Sequence, residues 1–72
     1  MQGDGGVLVP PKKYMNGIRK LAEEYQIMLV DDEVQSGMGR TGRLLAIEHF
    51  SVEPDLLVIG KALGAGMSIS AV

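Results

Sequence analysis

Two unbroken apolar runs, Ile27-Met28-Leu29-Val30 and Leu56-Leu57-Val58-Ile59, constrain the fold of this chain more than any other feature. Each has the length of a strand and lacks the polar alternation of a half-exposed one, which is the pattern of a parallel strand covered on both faces. Val7-Leu8-Val9, stopped by Pro10-Pro11, reads as the end of a further strand and the start of a helix. From Lys12 to about Tyr25, Met15, Ile18, Leu21, Ala22 and Tyr25 recur at three- and four-residue spacing. Lys13, Arg19, Lys20, Glu23 and Glu24 cover the opposite side, which predicts an amphipathic helix. Gly37, Gly39 and Gly42 mark a loop, Leu44 to Phe50 fits one short helix, and Pro54 precedes the second apolar run. Strand, helix, strand, loop and strand predict an α/β layer. In such layers ligands lie beyond the carboxyl ends of the strands, where Asp32 and Lys61 are both expected to emerge.

Seventy-two residues make at most one small domain. A chain of that size buries only roughly 60% of the surface its unfolded form exposes, so an independent enzyme is not expected. Without cysteine there is neither a disulfide framework nor a thiolate nucleophile or metal cluster. Seven basic residues against nine acidic ones, scattered singly or in pairs, form no stripe for phosphates, which argues against nucleic acid as a partner. The start, Met1-Gln2-Gly3-Asp4-Gly5-Gly6, has no basic region followed by an apolar core, and the apolar runs fall far short of the ~20 residues of a membrane helix. A soluble, cytoplasmic protein without membrane contact is expected.

Lys61 carries the sharpest chemical signal. It stands alone between Val58-Ile59-Gly60 and the glycine turn Gly64-Ala65-Gly66, with Asp32-Glu33-Val34-Gln35 upstream. A lysine amine becomes a nucleophile when apolar surroundings or a nearby cation depress its pKa, and it then forms Schiff bases with carbonyls and with pyridoxal phosphate. An aspartate at another strand's end is what a pyridinium nitrogen needs opposite it. The competing reading of Lys61 is a surface lysine, and that of Asp31-Asp32-Glu33 a solvated acidic turn. The acidic run also resembles the end of a Walker B strand, but no G-x-x-x-x-G-K-[ST] loop accompanies it. Gly37-Met38-Gly39-Arg40-Thr41-Gly42 formally fits G-x-G-x-x-G; Asp31 to Ser36 separate it from the strand, however, and only a short helix can follow it. A shaped wall beside the carboxylates is the better reading of that loop. His49 has no second ligand at metal spacing, so no metal site is expected.

Taken together, Leu29-Val30-Asp31-Asp32-Glu33-Val34-Gln35-Ser36-Gly37-Met38-Gly39-Arg40-Thr41-Gly42, Glu48-His49-Phe50, Pro54-Asp55 and Gly60-Lys61-Ala62-Leu63-Gly64-Ala65-Gly66 closely resemble the signature of class-III pyridoxal-phosphate aminotransferases. That family includes 4-aminobutyrate, acetylornithine and ornithine aminotransferases. Gln2 to Pro11 also resembles the stretch preceding this region, so the resemblance covers essentially the whole chain.

The resemblance implies a piece of the fold-type-I large domain, a mainly parallel sheet flanked by helices. The implied cofactor is pyridoxal 5'-phosphate, and the implied reaction moves an amino group from an amine or amino acid to a 2-keto acid through a Schiff base on Lys61. Asp32 matches the aspartate paired with the pyridine nitrogen, Gln35 the residue near the phenolic oxygen, and Asp4 a position where many members carry a glutamate that gates between substrates. An aspartate there is one methylene shorter. Ser68 stands where aminotransferases of the family usually have proline, a difference shared with amino-acid racemases on the same fold, so racemase or epimerase chemistry is the alternative. A non-catalytic nucleotide-binding α/β module is the alternative from another class. Family members are several times longer, which implies that residues 1–72 are a central fragment lacking the small domain and the phosphate-binding segment, inactive alone, and part of a homodimer or higher homo-oligomer.

Overall fold

The computed structural model describes residues 2–72. Helix α1 spans Lys12–Glu24, entered through Pro11. Of its apolar stripe, Met15 and Ala22 turn toward the core, while Leu21 and Tyr25 remain exposed. The helix ends in paired bonds from Ile27 N to the Ala22 carbonyl (2.8 Å) and from Gln26 N to the Glu23 carbonyl (3.3 Å). Gln26 turns to a φ of 54°, the left-handed residue such a terminus requires.

Strands β1 (Val30–Glu33) and β2 (Leu56–Ile59) form a two-stranded parallel sheet, with Val30 opposite Leu56, Asp32 opposite Val58 and Glu33 opposite Ile59. β2 coincides with its apolar run. β1 starts where its run ends, because Asp55 occupies the chain upstream of it. Asp55 Oδ2 accepts the Leu29 N–H at 2.7 Å, and the Leu29 carbonyl accepts the N–H groups of Asp55 (2.9 Å) and Leu56 (3.2 Å). Arg19 of α1 donates to both oxygens of the same carboxylate, at 2.9 and 3.4 Å, so that Asp55 ties helix to sheet. The three carboxylates predicted to follow the strand are therefore inside it.

Val7-Leu8-Val9 does not join the sheet; Leu8 makes only an isolated antiparallel bridge with Gln2. Leu44 to Phe50 yields a 3-10 helix over Ala46–Phe50, whose Ile47 and Phe50 pack with Val52 in a small core, partly covered by Met15, Leu29 and Leu45. Burial of both strand faces is not reached among the described residues, since Val30 is 52% and Leu56 41% exposed. No helix among them is long and apolar enough to cross a membrane.

Candidate active site

β1 alternates, and the alternation sorts its carboxylates. Residues of one parity share a face of a strand, so Asp31 and Glu33 turn one way and Asp32 the other. Glu33 is 1% exposed and Asp31 half-buried, whereas Asp32 is exposed. Asp32 Oδ1 accepts the Val34 N–H at 3.1 Å, a local bond that orients its carboxylate as the chain leaves the strand.

Asp32 lines an open cavity of about 690 Å³ together with Lys61, Gln35 and Asp4. The four positions picked out from the sequence, drawn from the N-terminal turn, the two strand ends and the following loop, thus border one space. Gln35 lies across Gly3 so closely that a side chain at residue 3 would land on the Gln35 amide. A side chain there would push the end of Gln35 aside, a crowding of which the sequence offered no sign.

Lys61 opens a 3-10 turn over Lys61–Gly64 and holds φ at 40°, in the left-handed region that favours glycine. Backbone held in such a region persists only where the surrounding structure enforces it. Here β2 delivers the chain into Gly60, and Ala71 pairs back onto Ile59 through bonds of 2.9 and 3.0 Å, which fixes the chain immediately before the lysine. Lys61 also borders a second open cavity with Arg40, Met67 and Ser68.

The loop after β1 forms the cavity wall through Ser36, Arg40 and Thr41. His49 meets it from outside: its Nε2 lies 3.1 Å from the Thr41 carbonyl and 3.2 Å from Thr41 Oγ1. His49 is an exposed histidine with a loop-bracing contact. The loop was expected as a wall beside the carboxylates, and Arg40 and Thr41 are the residues through which it serves as one, whereas Glu33 was not singled out. The signal for Glu33 was present in its parity with Asp31, but three consecutive acids conceal which of them is buried.

Asp31 is the strained member of the group. One of its carboxylate oxygens is buried without a hydrogen-bond partner. Burial first, then the neighbouring Glu33 carboxylate and Asp32, push its pKa from the usual range up to about 7.

This set of groups fits pyridoxal phosphate. An amine, a carboxylate and an amide border one cavity, and the volume falls within the ~300–1,000 Å³ common for small-molecule sites. The model of the family described as Aminotransferase class-III matches residues 1–72. The chain is 51% identical over its full length to a leucine/methionine racemase of Thermococcus litoralis, covering 16% of that protein. It is 53% identical over its full length to an acetylornithine aminotransferase of Methanocaldococcus jannaschii, covering 18% of it. In structure it resembles the ornithine aminotransferase of Toxoplasma gondii crystallised with oxidised glutathione, described as showing partial occupancy of PLP at the active site. The TM-score is 0.90 and the identity 44%, with 97% of this chain and 16% of that one covered. The chain spans less than a fifth of each of these proteins, yet the match runs through both strands, the loop and the lysine turn: this chain belongs to the class-III aminotransferase family.

Proposed function

We propose that the chain supplies the cofactor-holding centre of a pyridoxal-phosphate-dependent aminotransferase, which transfers an amino group from an amine or amino acid to a 2-keto acid. The observation that carries this reading is the meeting of Lys61, Asp32 and Gln35 around one cavity in a chain of this family. Pyridoxal phosphate, when bound, supplies an electrophilic aldehyde and a conjugated ring that accepts electron density from a breaking C–H bond.

The chain's own groups have separable tasks. Lys61 is the amine that holds the cofactor, and once released it moves the proton at the substrate carbon through its Nζ. Asp32 would stand opposite the cofactor's pyridine nitrogen and favour its protonated form, and the Val34 N–H holds that carboxylate in orientation. Gln35 offers its amide to the cofactor's phenolic oxygen. Asp4 borders the same space and would act in choosing between substrates.

Residues 1–72 are read as part of a larger cofactor-binding domain, whose phosphate-binding segment and companion small domain are supplied from outside them. A cytoplasmic homodimer or higher homo-oligomer, without nucleic acid or membrane contact, is the setting proposed.

A second reading, an amino-acid racemase, is favoured by Ser68, which borders the second cavity beside Lys61, and by the similarity to the leucine/methionine racemase. The test is a chimera in which residues 1–72 replace the matching stretch of the acetylornithine aminotransferase. With pyridoxal phosphate and an α-amino acid as donor, borohydride reduction is expected to fix the cofactor on Lys61, and the donor is expected to be converted to its 2-keto acid. The mirror-image amino acid as sole product selects the racemase reading. Absence of a lysine adduct refutes both.

A further inference from the structure

Glu33 is the most completely enclosed side chain described, at 1% exposure, and it points away from the cavity. Nothing in the proposed chemistry uses it. Its carboxylate is nevertheless surrounded by donors: Oε1 accepts from Ser36 Oγ at 3.0 Å and from Ala46 N at 2.5 Å, and Oε2 accepts from Ile47 N at 3.3 Å. Its carbonyl accepts from Gly37 N at 3.0 Å, an approach so close that a Cβ on Gly37 would fall 2.8 Å from that oxygen.

These partners lie at the two ends of one loop. Ser36 and Gly37 are where the chain leaves β1, and Ala46 and Ile47 are where it enters the 3-10 helix. Between Glu33 and Ala46 lie Val34, Gln35, Ser36, Arg40 and Thr41, which form the loop's share of the cavity lining. Gln35 sits between the anchoring residue and its first donor. We propose that Glu33 is a positioning residue: its buried carboxylate closes the 34–45 loop and thereby sets where Gln35 meets the cofactor. The inference rests on the pyridoxal-phosphate reading above.

A buried carboxylate suits this task because charge-assisted bonds to backbone N–H groups are short and about twice as strong as neutral ones. It gathers donors that would otherwise be buried unpaired. A glutamine of the same shape keeps one good acceptor and sets an NH2 against the remaining donor. The loop then stays folded but loses its second anchor.

The test uses the chimeric holoprotein and three variants, Glu33→Gln, Gln35→Ala and the double substitution. The readout is the pH midpoint of the visible band of the lysine-bound cofactor, which a group near the phenolic oxygen shifts. Glu33→Gln is expected to move that midpoint in the same direction as Gln35→Ala, by several tenths of a pH unit. The double variant should move it no further than Gln35→Ala alone, since residues acting through one another are not additive. Hydrogen exchange of the Ala46 and Ile47 amides in the cofactor-free protein should accelerate in Glu33→Gln. Ser36→Ala, which removes one donor only, should give a smaller midpoint shift of the same sign, and it serves if Glu33→Gln does not fold.

A lowered melting temperature with an unmoved midpoint, or shifts that simply add, would overturn the proposal and leave Glu33 as a fold residue. A parent chimera that takes up no cofactor would overturn the pyridoxal-phosphate reading itself, a result distinguishable from the other two.

Discussion

On one face of β1, Glu33 is enclosed and Asp31 half-enclosed, their carboxylates turned to the protein; on the other, Asp32 opens onto the cavity shared with Lys61. Three adjacent acids of nearly identical chemistry thus divide between the protein interior and the cavity by the direction in which each Cβ points. The difference teaches that in such a strand the register, not the residue type, assigns the role. A substitution on the cavity face should cost chemistry with little stability, whereas one on the inner face should cost stability first and reach the cofactor only through the loop that Glu33 closes.

The hardest test of that division is Lys61→Ala, expected in the chimera to abolish transamination and the borohydride-fixed adduct, since among the described residues no other amine borders both cavities. Amino-group transfer surviving at a measurable fraction of the parent rate would break the comparison outright. Asp32→Asn retains an oxygen for the Val34 N–H and should melt with the parent, while turnover falls on the order of 10²–10³-fold as the charge opposite the pyridine nitrogen is lost. Steady-state rates beside thermal melts check both halves.

For the inner face, Glu33→Ala strips the acceptor from Ser36, Ala46 and Ile47. Leaving such buried donors unpaired should cost about 3 kcal/mol in a denaturant melt. A larger loss from Asp32→Asn than from Glu33→Ala would place the register one residue out.

Asp31 sharpens the comparison through pH. Its folded-state pKa, raised to about 7, lies above that of an unfolded aspartate. Folding therefore favours the protonated acid: the penalty is absent below about pH 4, grows as pH rises, and is complete above about pH 7. Asp31→Asn should leave stability near pH 4 close to the parent's, raise it at pH 8, and leave turnover nearly unchanged. Melting curves at the two pH values check the sign, and a variant that is destabilised at pH 8 contradicts it.

Much of this arrangement was legible in the sequence. Helix α1, strand β2 and the grouping of Lys61 with Asp32 and Gln35 follow from periodicity, an unbroken apolar run and a spaced signature. β1 was misplaced because apolarity marks what a segment prefers to bury, whereas the ladder begins where backbone groups find partners. Asp55, far along the chain, takes the Leu29 N–H and pushes the ladder downstream. The enclosure of Glu33 was hidden for the same reason: its partners are backbone N–H groups at Ala46 and Ile47, which every residue possesses and no side-chain pattern announces. The core around Ile47, Phe50 and Val52 gathers from segments too short to show a period.

The backbone of Lys61 carries a consequence for how the chain can change. At a φ of 40° a glycine would rest without strain, and a lysine does not. Lys61→Gly should therefore raise the melting temperature slightly, by a stabilisation of about 1 kcal/mol, while ending amino-group transfer. Directed evolution for thermal tolerance alone would drift toward that glycine, and selection for turnover would restore the lysine. The two pressures meet at a single codon, where robustness and activity are exchanged one for the other.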